Sequence, residues 1–63
     1  GLLTYVQERI KMYVQVNHVK PEQIVLGSLQ WVTVLENHPL RLFSIDGINC
    51  VPDLEEPSLV ELI

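Results

Sequence analysis

With 63 residues the chain has room for one domain, spanning residues 1–63, and a domain this small buries only about 60% of its unfolded surface, so its core is marginal. Cys50 is the only cysteine, so no disulfide within the chain reinforces that core; with no signal-peptide pattern, a reducing, cytoplasmic setting is expected. A net charge of −4 with only four Lys and Arg excludes a clustered phosphate-binding surface, and no apolar run reaches the roughly 18 residues of a membrane span, so neither nucleic acid nor membrane is an expected partner.

Thr4 followed by Gln7 fits a capping box, which satisfies orphan N–H groups at a helix start. Leu3, Val6, Ile10, Tyr13, Val14 and Asn17 then recur at helical spacing, with Gln7, Glu8, Lys11 and Gln15 on the opposite side. Tyr5, Met12 and Val16 add a flanking apolar stripe. The first helix is therefore expected over residues 4–17, packed on a sheet. Asn17-His18 ends it, and Pro21 biases Lys20 toward an extended backbone.

Gln23-Ile24-Val25-Leu26, terminated by Gly27, reads as a buried strand. Ser28 is placed to cap a second helix running to Asn37, with Leu29, Val32, Leu35 and Glu36 along one side and Asn37-His38-Pro39 as the stop. The β-branched run Val32-Thr33-Val34 also allows a strand, with Trp31, Thr33 and Leu35 alternating against Val32 and Val34; the capping serine favours the helix.

Asp46-Gly47 between two alternating runs is the strongest local signal, because a type I′ turn needs φ > 0 at both central residues. A two-residue loop there sets Ile45 opposite Ile48, Ser44 opposite Asn49, Phe43 opposite Cys50 and Leu42 opposite Val51. Phe43, Ile45, Ile48 and Cys50 then share the core face. Pro52 closes the second hairpin strand, and Asp53 to Pro57 forms an acidic loop. Residues 58–63 read as a last edge strand, since six residues are too few for a stable free helix despite the Ser58-x-x-Glu61 capping pattern. The expected fold is α+β, in the order α-β-α-β-β-(β): an N-terminal amphipathic helix on a small three- or four-stranded sheet.

Candidate chemistry is sparse. Cys50 with His18 or His38 would pair a thiol with an imidazole, but the hairpin register puts Cys50 on the core face, where a thiol stays protonated and acts as a small apolar group. Both histidines fall at expected helix C-termini, and with Cys50 and Asp53 they lack the ligand-pair spacing of a metal site. Asp53, Glu55 and Glu56 lack the alternation and glycine of a calcium loop. Gly27-Ser28 at a strand-to-helix junction could offer N–H groups to an anion, without the further glycines or lysine that usually accompany such a site. No enzymatic activity, cofactor or metal is expected.

The segment Val19-Lys20-Pro21-Glu22-Gln23-Ile24-Val25-Leu26-Gly27, a short helix, and then Ile45-Asp46-Gly47-Ile48-Asn49-Cys50-Val51-Pro52-Asp53 form an order that resembles small uncharacterised proteins of phages and prophages. It is also similar to the axial domain of tailed-phage major capsid proteins, in which a Pro-x-x-Ile-Val strand precedes a helix and a hairpin strand follows. The similarity covers residues 19–53. It implies a small phage-type α+β module and carries no catalytic residues over.

A hydrophobic fraction of 48% is high for so small an interior, and association would resolve the mismatch. The expected partner is a second copy of the chain, giving a homo-oligomer, through Trp31, Leu42, Val51, Leu59, Val60, Leu62 and Ile63. The alternative is a regulatory or inhibitory binder of a basic protein. Residues 42–63 hold five acids and no base, net −5, while residues 1–41 hold four bases and three acids, net +1.

Overall fold

The computed structural model describes residues 1–37 and 44–63, and its elements are α1 (Leu2–Asn17), β1 (Gln23–Gly27), α2 (Ser28–Asn37), β2 (Ser44–Ile45), β3 (Ile48–Asp53) and β4 (Val60–Leu62). This is the α+β arrangement expected from the sequence, with residues 28–37 a helix and the last segment a strand. The four strands form one mixed sheet in the order β2-β3-β1-β4. β1 lies parallel to β3, with Ile24 level with Cys50, and antiparallel to β4, with Ile24 level with Leu62. Parallel neighbours cannot be joined by a tight turn, and α2 supplies ten of the twenty residues that connect β1 to β3.

The hairpin matches its expected register where it is described: Ser44 pairs with Asn49 and Ile45 with Ile48. Asp46 and Gly47 have φ of 53° and 80°, the left-handed pair that a type I′ turn needs. The expected pairs Phe43–Cys50 and Leu42–Val51 involve residues outside those described. Pro52 does not close β3, which runs on to Asp53. In a two-residue hairpin Ile48 bonds toward β2, so alternation also turns the backbone of Pro52 away from β1, and its missing N–H takes nothing from that ladder.

One face of the sheet carries the core. Val6 and Ile10 from α1, Ile24 and Leu26 from β1, Val34 from α2, and Ile45, Ile48 and Cys50 from the hairpin are buried, with Val60 and Leu62 packed against them. Each fully buried aliphatic side chain contributes about 1.5–3 kcal/mol. The opposite face is open, with Val25 and Val51 half-buried side by side between exposed Gln23, Asn49 and Glu61.

The expected start of α1 is corrected. α1 starts at Leu2, capped by Gly1 without a side-chain bond, so Thr4 sits inside the helix and the Thr4–Gln7 capping box does not form. The helix stops at Asn17-His18 as expected: His18 has a φ of 61°, the left-handed cap conformation, and its N–H donates to the Val14 carbonyl at 2.8 Å. In α2 the inward residues are Val34 and Trp31, while Leu29, Val32 and Leu35 face solvent. The sequence places apolar residues on both sides of α2, and the rotation is set by its first turn.

That turn is clamped by the segment before β4. The N–H groups of Gly27, Ser28 and Leu29 donate to the carbonyls of Leu59 (2.8 Å), Glu56 (2.8 Å) and Pro57 (3.1 Å). Gln30 adds both ends of its amide: its Nε2 donates to Ser58 Oγ at 3.0 Å and its Oε1 accepts from the Leu59 N–H at 3.2 Å. With Gln30 held against residues 58–59, Val34, one turn on, lies about 40° away on the same side, and Val32 lies on the far side.

The clamp leaves no room at Gly27, where a Cβ would lie 2.6 Å from the Leu59 nitrogen and 2.8 Å from the Glu56 oxygen. Gly27→Ala is therefore expected to lower stability by about 1–3 kcal/mol in urea denaturation, the usual cost of overpacking. An unchanged midpoint would mean that the junction is not held this tightly.

Candidate interaction surface

The groups that suggested chemistry are occupied with structure. Cys50 is buried beneath the helices; burial pushes its thiol pKa up, and a backbone hydrogen bond from Ile45 opposes this less strongly. His18 is exposed at the end of α1, and His38 lies outside the described residues. Among the described residues no group of three or more His, Cys, Asp or Glu side chains could hold a metal ion. Asp53 Oδ1 accepts the N–H of Glu55 at 3.0 Å, which fixes the start of the acidic loop. The anion-site reading of Gly27-Ser28 is corrected, because the N–H groups it needs already donate to carbonyls of residues 56–59.

What remains is apolar surface. Along α1, Tyr5, Met12 and Val16 are exposed, Val16 by 75%. At 100° per residue they fall with Arg9 inside an arc of about 60°. Arg9 donates from Nη1 to the Tyr5 hydroxyl at 3.1 Å and lies over its ring, 5.9 Å from the centroid. This stripe overhangs the β4 side of the sheet. Arg9, Met12, Tyr13, Val16 and Asn17 line an open groove with Leu62, and Leu2 and Tyr5 line another with Gln30, Ser58, Leu59 and Val60. On the other flank of the helix, Gln7 Nε2 reaches Asp46 Oδ1 of the hairpin at 3.4 Å, a long, exposed bond.

A second patch lies on the outer side of α2, where Leu29 (62% exposed), Val32 and Leu35 recur every third residue. Leu54, at 77% exposure, stands alone among the acids of the loop.

The residues expected at an interface are therefore scattered. Trp31 is half-buried against the core of its own chain, as are Val60 and Leu62. Val51 is half-buried on the open face beside Val25, Leu59 is half-buried in the clamp, and Ile63 is exposed at the end of β4. Leu42 lies outside the described residues. The exposed stripe of α1 is visible in the sequence as a flanking row, and the α2 patch as a row along one side of that helix. Its i, i+3, i+6 spacing signals a stripe without saying which way it faces.

Comparison with protein-family models, with curated proteins and with solved structures finds no match for this chain. No helix among the described residues is long and apolar enough to cross a membrane.

Burial of Cys50 predicts its reactivity. In the folded protein at pH 8 the thiol is expected to react with a disulfide reagent only as fast as the fold opens, and stoichiometrically in urea. Immediate labelling of the native protein would contradict the burial and reopen a role for the thiol.

Proposed function

We propose that the chain is a small α+β protein-interaction module that self-associates. The observation that carries this reading is the balance of apolar side chains: nine large ones are exposed among the described residues, against eight in the core. Single exposed apolar residues are ordinary, but two helix-length stripes are not, and such surface is commonly covered by a partner. Association also relieves the shortage of interior that a domain of this size faces without disulfide or metal.

A second reading, a binder of a basic protein surface, is supported by the acidic loop, which presents Leu54 between exposed Glu55, Glu56 and half-buried Asp53. The two readings differ in their response to salt. An apolar self-interface is insensitive to ionic strength or strengthened by it, whereas acidic-loop binding to a basic partner weakens as charges are screened.

Molar mass by light scattering on a sizing column, at two protein and two salt concentrations, tests the proposal. A dimer or larger species that persists in high salt is expected. A salt-indifferent monomer at all concentrations would overturn self-association and turn attention to the acidic loop.

A further inference from the structure

We infer that the chain pairs with a second copy of itself through the outer edge of β4, with the Tyr5-Arg9-Met12-Val16 side of α1 packed against its counterpart across the same two-fold axis. This rests on the self-association proposed above and names the surface that carries it.

The first observation is the state of the strand edge. Toward β1, the Leu59 carbonyl accepts from Gly27, and the Ile63 N–H and carbonyl bond to Gln23. Alternation along the strand therefore turns the N–H and C=O groups of Val60 and Leu62 away from β1, toward an edge that no other described strand pairs. Edges are usually blunted by shortness, charged side chains, proline or a bulge; β4 is short and carries Glu61, but Val60-Glu61-Leu62 has no proline or lysine, so its backbone groups stay able to pair. An edge of this kind is satisfied by another strand.

The second observation is that the wall above this edge is its own complement. Tyr5, Arg9, Met12 and Val16 are spaced by four, three and four residues, a sequence of steps that reads the same in both directions. A second α1 laid antiparallel sets Tyr5 opposite the partner's Val16 and Arg9 opposite the partner's Met12. The arginine stem covers the methionine while its guanidinium stays over Tyr5. β4 has the same symmetry, apolar-acid-apolar, so an axis through Glu61 pairs Val60 with the partner's Leu62. The two axes are compatible: Tyr5 lines a groove with Leu59 and Val60, and Val16 lines one with Leu62, so α1 runs alongside β4 in the same direction. Pairing then extends the sheet to eight strands and closes the groove lined by Met12, Tyr13, Val16 and Leu62.

The wall is modest in size. Sixteen helical residues extend about 24 Å at 1.5 Å each, and a helix about 10 Å across presents roughly 240 Å² in projection. The three residues of β4 add about 10 Å of strand, or roughly 100 Å² in a layer about 10 Å deep. The pairing therefore belongs with small interfaces, below the ~800 Å² that a standard dimer takes from each partner, and the backbone hydrogen bonds of the strand edge add to the apolar contact.

The pairing has one unfavourable element: Glu61 meets its own copy across the axis on the open face, where like charges weaken association. That makes the register testable. Glu61→Gln is expected to tighten the dimer about two- to fivefold. A mixture of Glu61→Lys with the unmodified chain is expected to form the mixed dimer in preference to either homodimer. Directly opposed Cα atoms about 4.5 Å apart lie within disulfide range, so Glu61→Cys should crosslink on mild oxidation while Asn49→Cys, exposed on the same face but away from the edge, does not. Val16→Lys, at a solvent-facing position, should weaken the dimer and leave the circular dichroism unchanged. A dimer indifferent to these substitutions would overturn this interface and leave self-association standing. A chain that never dimerises would overturn both.

Discussion

Everything above the sheet depends on how the segment before β4 is fastened to the start of α2. The first N–H groups of a helix have no partner within it, and at the β1–α2 junction three successive N–H groups find theirs in carbonyls of residues 56–59. The Gln30 amide completes the contact in both directions. One knot thus caps a helix, turns β1 into it, and holds the entry to the edge strand. Gly27 is needed because backbone and side-chain atoms of the knot occupy the space where a Cβ would be.

The knot determines which apolar residues the core receives. It rotates α2 so that Gln30, Trp31 and Val34 point inward, which leaves Leu29, Val32 and Leu35 outside. α1 contributes Val6 and Ile10 to the core and keeps Tyr5, Met12 and Val16 on the flank above β4. A small interior cannot take both sides of each helix. The exposed stripes follow from that geometric limit.

The local elements were legible because each has a signal within a few residues. Asp46-Gly47 specified both the turn and its register, and Gln23 to Leu26 read as a strand with a glycine stop. The boundary before α1 was misread because Thr4 and Gln7 match a capping pattern whose geometry the chain does not use; the helix begins two residues earlier, at Leu2. The side of α2 that faces inward was not legible. Both sides are apolar, and the residue that decides between them, Gln30, is polar and acts through Ser58 and Leu59, far along the chain. The parallel pairing of β1 with β3 was likewise invisible to short-range patterns. For the candidate surface, the sequence supplied the excess of apolar residues, while the edge position of β4 and the side on which the α1 stripe lies came from the sheet order.

The most direct test of this account is hydrogen exchange at the amides of Ser28 and Leu29. First-turn amides of a helix ordinarily exchange quickly for want of a partner. If residues 56–59 accept from them, both should be protected to the same degree as Gly27 at the end of β1. Exchange at the rate of an unstructured peptide, with Gly27 still protected, would show that the knot does not form and that the rotation of α2 has another cause.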